Sequence, residues 1–447
     1  MERDMKNPHL LFVFILLSTS TAGHAEHWAH WRGPQGNGNE TTASPPIRWS
    51  DSENVKWKVQ IPGRGSGSPI VWGDQVFVVT AVPTKSENAK LVETTDSAET
   101  PRGNRRGRRG RRGAATSELE FKLFCFDRST GERRWERTAC IATPHEGTHA
   151  TNSFASASPC TDGEHVFAHF GSRGLFCYSM NGDLVWKRDD LGEMRCRAGF
   201  GEGSSPTLVG EKILVPWDHE GQSYLFALNK ANGETIWKTA RDEPTCWATP
   251  LVVEHDGRQQ VIMNGQNFAR AYDLFTGEEL WRCAGQTQRP VASPVAGDGL
   301  VFVGSGFRGA FLGAFRMDGR GDIEGTDQVV WTIERDTPDI ASLLLSEGRI
   351  YFYKGKSGVL SCVNSQTGEP LYKSRRVPGL RSIYASPIAA GGRVYLTGRS
   401  GTTVVIEDAD EFAVLATNSV GETVDATPAA VDNQLFIRGE NHLFCIE

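Results

Sequence analysis

The sequence has no C-x-x-C pair and no C-x-x-C-H motif, although it contains nine cysteines. These absences exclude the common zinc modules and a covalently attached haem. Long apolar runs are missing too: Leu10–Leu17 has only eight residues, whereas a membrane-spanning helix needs about 20. With 38% hydrophobic and 23% charged residues over 447 positions, the composition also excludes a disordered polymer and a membrane-embedded protein.

The short apolar run near the N-terminus predicts an export signal. It is followed by small residues, with Gly23 and Ala25 at the −3 and −1 positions of a cleavage site before Glu26. This arrangement is typical of a signal peptide spanning residues 1–25, with Met1 or Met5 as the start. We expect the mature chain, residues 26–447, to have no transmembrane segment and to be located in the periplasm or outside the cell.

One sequence unit recurs along the chain. A Ser/Thr-Pro pair followed by a β-rich run begins at Ser68, Ser158, Ser205, Thr249, Ser293, Ser386 and Thr427, and a degraded copy without proline occurs at Ser342. From Ser158 onward the copies are 41 to 49 residues apart. A repeat of this length is typical of one four-stranded blade of a β-propeller.

Most repeats end in a glycine turn and a strand that carries tryptophan, as in Asn232-Gly233 before Trp237. Glycine permits the positive φ of a hairpin turn, and the large aromatic ring is predicted to fill the gap between the outer strands of neighbouring blades. Tyr372 replaces the tryptophan in one repeat. The last repeat has no such strand, whereas the N-terminal segment Val55–Val59 is one without a repeat before it. We therefore predict an all-β, eight-bladed propeller of four-stranded antiparallel blades, closed by this N-terminal strand in the last blade.

The repeat resembles that of the quinoprotein-like β-propellers, named after pyrroloquinoline quinone (PQQ). The family pattern L-x-A-L-D-x-x-T-G-x-x-x-W is similar to the segment from Leu225 to Trp237, and the opening motif His30–Gly38 resembles the start of exported members. The resemblance implies one propeller domain over residues 26–447. The family includes PQQ-dependent dehydrogenases and the propeller subunit of the outer-membrane β-barrel assembly machinery. This chain resembles the non-dehydrogenase type.

For a dehydrogenase, the resemblance implies two adjacent disulfide-bonded cysteines against the quinone, a Ca²⁺ held by oxygen ligands and an aspartate base. The sequence has no adjacent cysteines, and nothing identifies Asp339 or Asp425 as a base. We predict no cofactor and no catalytic residue. A PQQ-dependent alcohol or sugar dehydrogenase with PQQ and Ca²⁺ is the alternative.

The segment His145–His149 matches the H-E-x-x-H motif, which binds zinc when a helix presents both histidines on one face. Pro144 precedes the motif and Gly147 interrupts it. A helix is therefore not expected, and we predict a polar loop between blades without a metal.

The cysteines fall into two groups. Cys125, Cys177, Cys362 and Cys445 align with alanines in the third strand of other repeats, which predicts buried free thiols. Cys140, Cys160, Cys196, Cys246 and Cys283 lie outside that column and could form disulfides, without an indicated pairing.

In a four-stranded blade, the loop that enters the first strand lies on the same face as the loop between the second and third strands. The residues just before each Ser/Thr-Pro pair are therefore predicted to line the mouth of the central channel: Ser66, Ser156, Gly203, Trp247, Val291, Ile340, Tyr384 and Asp425. From this surface and its neighbours we predict a ligand- or partner-binding set of Arg64, Glu202, Trp247, Arg289, Asp339, Arg381, Tyr384 and Asp425.

An insertion at about residues 84–118 separates the second and third strands of the first blade and is predicted to be a disordered basic arm on the same face. Its arginines are Arg102, Arg105, Arg106, Arg108, Arg109, Arg111 and Arg112. Without these seven charges the chain carries −13 instead of −6. Arginine clusters suit anionic polymers or lipid head groups. A nucleic-acid partner is not expected, because the arm has no aromatic residues for base stacking.

Together these patterns predict a non-catalytic exported propeller that binds protein or peptide partners, with cell-envelope or outer-membrane assembly as a context.

Overall fold

The computed structural model describes residues 27–84 and 117–447. The predicted signal peptide and the seven arginines of the basic arm lie outside the described residues. The described residues form eight sheets around one channel, each built on a four-stranded antiparallel blade. The four strands of a blade are consecutive in the chain except in blade 5, where Gly321–Asp322 intervenes and pairs with blade 4, and in the last blade. The predicted eight-bladed propeller is confirmed.

The strands of each blade are given from the channel outwards. Those of blades 1 to 4 are Ile70–Trp72, Gln75–Pro83, Leu119–Asp127 and Arg133–Ala142; Cys160–Thr161, His165–His169, Leu175–Ser179 and Leu184–Arg188; Thr207–Val209, Lys212–Trp217, Ser223–Asn229 and Thr235–Arg241; Leu251–His255, Arg258–Met263, Ala269–Asp273 and Glu279–Cys283. Those of blades 5 to 8 are Val295–Gly297, Leu300–Ser305, Phe311–Arg316 and Val329–Ile333; Leu344–Ser346, Arg349–Tyr353, Val359–Asn364 and Pro370–Arg376; Ile388–Ala390, Arg393–Thr397, Thr402–Glu407 and Val414–Ser419; Ala429–Val431, Gln434–Arg438, His442–Ile446 and Val55–Gln60. Three further strands (His27–Trp28, Asn39–Glu40, Gly321–Asp322) and two 3₁₀ turns (Gly171–Arg173, Arg197–Gly199) complete the described elements.

The serine or threonine of each repeat forms a closed ring of hydrogen bonds around the channel. Each hydroxyl oxygen accepts the backbone N–H of the same position in the preceding blade, at 2.9–3.1 Å. We call these eight residues the hydroxyl ring: Ser68, Ser158, Ser205, Thr249, Ser293, Ser342, Ser386 and Thr427. Ser342 takes part although leucine follows it, so the hydroxyl and not the proline is what the ring requires.

The outer tryptophans join neighbouring blades, as predicted. The indole N–H donates to a backbone carbonyl of the next blade at 2.8–3.0 Å in five cases: Trp57 to Arg128, Trp135 to Met180, Trp186 to Lys230, Trp237 to Leu274 and Trp331 to Ser365. The indole ring also packs over a turn glycine of that next blade. At Gly277, for example, φ is +74° and an added Cβ would lie 2.7 Å from the indole of Trp237. Both the backbone and the packing therefore require glycine there.

The N-terminal strand closes the propeller. Val55–Gln60 pairs antiparallel with His442–Ile446, with Trp57 opposite Cys445, and becomes the outer strand of blade 8. Because Trp57 also bonds to Arg128 of blade 1, this strand connects the last blade to the first. The predicted closure is confirmed, one residue longer than expected.

Residues 27–49, which we call the N-terminal plug, first cross the channel at the end opposite the repeat-entry loops and then run outwards to the outer strand of blade 7, where Asn418 bonds to Ile47 and Trp49. His27–Trp28 pairs with the inner strand of blade 1, and Asn39–Glu40 pairs with that of blade 7. Trp28 and Arg32 are buried, with 0% and 1% of their surface exposed. Gly38, with φ of +83°, lies so close to Arg32 that an added Cβ would be 2.5 Å from the guanidinium carbon. The opening motif of the sequence is therefore a channel plug.

All nine cysteines are free thiols, and eight of them are buried. The third-strand column is confirmed, whereas the disulfides considered for Cys140, Cys160, Cys196, Cys246 and Cys283 do not form. Residues 143–150 contain no helix, as expected for the H-E-x-x-H segment. No helix within residues 27–84 and 117–447 is long and apolar enough to cross a membrane.

Candidate functional site

A cavity of about 460 Å³ lies at the mouth of the channel. Its lower wall is the complete hydroxyl ring, and Trp31 of the N-terminal plug also borders it. All eight positions predicted from the repeat line its upper part: Ser66, Ser156, Gly203, Trp247, Val291, Ile340, Tyr384 and Asp425. The volume is in the range of small-molecule and peptide side-chain pockets.

The eight residues of the predicted binding set occupy different places. Trp247, Arg289, Tyr384 and Asp425 line the cavity. Arg64 is exposed at the rim, beside a smaller pocket of about 70 Å³ that Asp425 shares.

The other three members of the set lie away from the cavity wall. Asp339 is 8% exposed and lies behind the wall, and Arg381 is exposed and does not border the cavity. Glu202 lines a separate pocket of about 40 Å³. The structure thus brings four of the eight together, and a binding role for any of them stays a prediction.

An aromatic wall surrounds one cation. The guanidinium carbon of Arg289 lies 3.3 Å from the ring centre of Phe307 and 5.5 Å from that of Phe200. Arg289 also adopts a left-handed backbone with φ of 46°, which is unfavourable for a residue with a side chain. Burial lowers the pKa of its guanidinium, and nearby Asp339 opposes this effect. The backbone and the stacking hold Arg289 against the cavity in one orientation.

A second aromatic contact lies across the cavity at Tyr384. Its ring is 5.1 Å from the guanidinium carbon of Arg399 and 5.9 Å from Nζ of Lys356. Its hydroxyl accepts a hydrogen bond from Thr151 at 3.0 Å. The mouth therefore combines aromatic surface with positive charge on both sides.

The carboxylates near the cavity interact with neighbouring cations. Oδ1 of Asp425 accepts a hydrogen bond from Nε of Arg399 at 2.7 Å. Burial raises the pKa of Asp425, and this ion pair opposes the rise. Burial also raises the pKa of Asp339, whereas Arg289 and Lys356 lower it. Among the residues that the structure describes, Asp425 is the one carboxylate that lines the cavity.

Several lining residues were missed by sequence reasoning: Trp31, His149, Thr151, Asn152, Phe200, Phe307 and Lys356. His149 belongs to the H-E-x-x-H segment, and its Nδ1 lies 2.9 Å from Oγ1 of Thr151. The long loop before Ser158, rich in polar residues, was the available signal for Thr151 and Asn152. No repeat position marks Phe200 or Phe307, because each lies in a loop with its own length.

Glu202 belongs to a buried polar cluster next to this cavity. Its carboxylate accepts hydrogen bonds from the backbone N–H of Ser172 at 2.7 Å and from the Ser172 hydroxyl. Nε2 of His145 lies 4.0 Å from Oε1 of Glu202. Burial raises the pKa of Glu202, and the two bonds from Ser172 counteract it. The cluster fixes the loop that carries Gly203 and Phe200, and so positions part of the cavity wall.

The residues at the mouth do not fit a Ca²⁺–quinone centre. Calcium takes six to eight oxygen ligands, but Asp425 is paired with Arg399. The amide of Asn152 donates to the carbonyls of Phe200 and Glu202, and its oxygen accepts from Ser153 and Ser156. Within the described residues, the one acidic and histidine group compact enough for an ion is Asp162, Glu164 and His165, in a strand turn that does not border the cavity. There Asp162 already binds Lys230 at 3.0 Å.

The comparison with known protein families agrees with the propeller fold and its sequence repeats. A family model described as "Outer membrane protein assembly factor BamB" matches residues 47–238, 93–320 and 265–447. The chain belongs to this BamB-like family of PQQ propellers.

Solved structures show the same fold at low identity. BamB from Moraxella catarrhalis is 14% identical, with a TM-score of 0.52 over 74% of this chain and 92% of that one. The quinohemoprotein alcohol dehydrogenase from Comamonas testosteroni is 10% identical, with a TM-score of 0.59 over 95% of this chain and 81% of that one. Both BamB-like propellers and quinoprotein dehydrogenases therefore share this architecture, and the fold alone does not select a function.

A curated relative has a different name from both of these solved structures. Tetrathionate hydrolase from Acidithiobacillus ferrooxidans is 26% identical over 298 residues, which cover 62% of this chain and 53% of the relative. The chain thus spans about half the length of the curated relative that it matches.

Proposed function

We propose that this BamB-like propeller is a non-catalytic exported scaffold that binds a peptide segment of a partner protein in its central cavity, in the assembly of the cell envelope. The observation that carries the proposal is the cavity itself: about 460 Å³, open at the mouth, with aromatic residues and cations on its wall. Aromatic residues and arginine are the side chains that most often dominate binding energy at protein interfaces.

The closed floor favours a ligand that enters and leaves by the same opening. The N-terminal plug crosses the channel below the hydroxyl ring, and Trp31 borders the cavity. A chain end or a loop tip of a partner fits this geometry, because either can enter without passing through the channel.

The state of the two aspartates at the mouth favours a binding role for them over a catalytic one. A general base needs a free carboxylate or imidazole within hydrogen-bond reach of the substrate. Asp425 is held by Arg399, and Asp339 is buried behind the wall. We therefore propose no catalytic role for either aspartate.

The proposal is tested by site-specific photocrosslinking in native cell envelopes. Benzoylphenylalanine at Ile340, on the cavity wall, should capture one partner, and the same group at Val414, exposed on the outer strand of blade 7, serves as the matched control. A synthetic peptide of the captured segment should then bind the purified protein 1:1, and Trp247→Ala should weaken binding at least tenfold. Capture from Val414 alone, or an affinity that Trp247→Ala leaves unchanged, contradicts the proposal.

The alternative is a PQQ-dependent oxidoreductase of alcohols or sugars. Its test is addition of PQQ and Ca²⁺ to the purified protein. Stoichiometric quinone absorbance together with dye reduction by alcohols or sugars would overturn the scaffold proposal. Tetrathionate is tested separately, by its disappearance on incubation with the purified protein, because the curated relative is named for its hydrolysis.

Two further features belong to the same proposal. Periplasmic or extracellular location rests on the predicted signal peptide, and family membership supports it. The basic arm is proposed to assist binding of anionic polymers or lipid head groups. Its described ends, Thr84 and Glu118, are joined by a backbone hydrogen bond of 3.0 Å, and neighbouring Ala81 pairs with Arg64 at the cavity rim.

A further inference from the structure

The hydroxyl groups of the hydroxyl ring have hydrogen-bond donors that the described residues do not use. Each hydroxyl oxygen in the ring accepts one backbone N–H from the preceding blade. Within residues 27–84 and 117–447, none of the eight hydroxyl hydrogens has a protein acceptor. All eight residues border the cavity. The lower wall therefore offers hydroxyl donors, with their acceptor capacity already used in part.

A buried cation lies directly below this ring. The Arg32 guanidinium donates to the carbonyls of Pro387 and Asn37 at 2.8 Å, and also to that of Leu343. Pro387 and Leu343 each follow a member of the hydroxyl ring, Ser386 and Ser342, so Arg32 is one residue layer beneath it.

Arg32 has no acidic partner among the described residues. It forms no ion pair, its Nε has no hydrogen-bond partner, and it is 1% exposed. Burial alone lowers its pKa to about 9. A buried charge without a counter-charge is costly, so most buried charges are paired. The three carbonyls satisfy part of the guanidinium, and they leave its net charge uncompensated.

The floor and the wall carry charge of the same sign. The guanidinium carbon of Arg32 lies 5.5 Å from the ring of Trp31, whose indole N–H is buried without a partner and which borders the cavity. Higher up, Arg289 and Lys356 line the cavity, and Asp425, the one lining carboxylate among the described residues, is neutralised by Arg399. Asp339 balances part of the charge of Arg289 from behind the wall.

We propose that the floor of the cavity is an anion site, at which a carboxylate or another oxyanion accepts hydrogen bonds from the hydroxyl ring above the buried Arg32. This deepens the proposed function and rests on it in one respect, that the ligand occupies the central cavity. It assigns the ligand chemistry: the group that reaches the floor is acidic, as in an aspartate or glutamate side chain, a chain-terminal carboxylate or a free oxyanion.

The test is isothermal titration calorimetry of the full mature protein in low-chloride buffer at constant ionic strength. The probes are inorganic sulfate and the matched peptides acetyl-Gly-Asp-Gly-amide and acetyl-Gly-Asn-Gly-amide. We expect 1:1 binding of sulfate and of the aspartate peptide, with the asparagine peptide at least tenfold weaker. Arg32→Gln should reduce sulfate affinity at least tenfold, and Arg316→Gln, at an exposed arginine of blade 5, should have no effect.

Because Arg32 also anchors the N-terminal plug, a second variant is tested alongside Arg32→Gln. Arg289→Gln changes a cation on the wall and leaves the plug intact, and it should lower sulfate affinity severalfold. Sulfate binding that neither variant alters, or equal affinity for the two peptides, would overturn the anion site.

The results separate this inference from the proposed function. If the peptide captured by photocrosslinking binds through Trp247 while sulfate and the aspartate peptide do not bind, the anion site is wrong and the scaffold stands. If sulfate binds with dependence on Arg32 and Arg289 but no captured peptide binds, the anion site stands and the peptide scaffold is wrong.

Discussion

At the scale of single residues, one hydroxyl per blade contributes to both stability and the site. The oxygen accepts an N–H from the neighbouring blade, and the same side chain borders the cavity. Ser342 tests the structural part. Ser342→Ala leaves the N–H of Ser293 without this acceptor, and the loss of one such bond costs about 1 kcal/mol.

This change should lower the urea midpoint of unfolding, whereas Ser342→Thr should keep it, because threonine occupies the same position at Thr249 and Thr427. An alanine variant as stable as the wild type would show that the ring bond does not contribute to stability.

A buried histidine predicts how stability depends on pH. His169 is 1% exposed, and burial lowers its pKa to about 4. The unfolded chain protonates this residue near pH 6.5, so between about pH 6.5 and 4 the unfolded state binds a proton that the folded state does not. The free energy of unfolding should therefore fall as pH falls through this window, by about 1.4 kcal/mol per pH unit at most for one histidine.

His169→Gln should make that fall shallower, as measured by urea unfolding at pH 7, 5.5 and 4.5. The slope is the readout, because the substitution also alters packing. His30, with its pKa lowered to about 3, remains in the variant and preserves part of the dependence. Equal slopes for the variant and the wild type would contradict the assignment.

The residues also show what the sequence could predict. The Ser/Thr-Pro pair recurs around the chain, so the eight mouth positions follow from the period and the strand order, whereas the hydrogen bonds of the hydroxyl ring were not predicted. Ser342 was recognised only as a degraded copy because its proline is missing, although the bond depends on the hydroxyl. Phe200 and Phe307 could not be found in this way, since their loops differ from blade to blade. The role of Arg32 required knowledge of which distant carbonyls the plug meets.

At the scale of elements, the N-terminal region has two structural roles that truncation can separate. Residues 27–49 plug the channel, and Val55–Gln60 completes blade 8. A chain that begins at residue 50 should keep a closed ring, fold as a monomer and melt several degrees lower, because it loses buried Trp28 and Trp49. Circular dichroism melting and light scattering measure both properties.

A chain that begins at residue 62 should behave differently. Loss of Val55–Gln60 exposes the strand His442–Ile446 as an unpaired edge, and exposed edges promote aggregation. We expect soluble aggregates or failure to fold. A monomer with the melting temperature of the chain that begins at residue 50 would contradict the closure.

At the scale of the whole molecule, the eightfold repetition makes one wall and the irregular segments make the site. The hydroxyl ring contributes one serine or threonine hydroxyl from each blade, whereas the loops and the plug add Arg289, Tyr384, Trp247 and Trp31 at single places. Because a shared fold does not select a function, the function of this propeller has to be argued from these irregular residues and not from the blades. We expect ligand affinity to depend on the cavity residues and not on the outer strands.

Competition between sulfate and the captured partner peptide is the decisive test of binding in the central cavity. The affinity of the peptide for the full mature protein is measured at increasing sulfate, with chloride at equal ionic strength as the control. If both ligands use the central cavity, the apparent dissociation constant of the peptide rises in proportion to sulfate, and Arg289→Gln reduces that rise. If sulfate binds on its own, a peptide affinity that changes equally in sulfate and in chloride would contradict the central cavity as the binding site of both ligands.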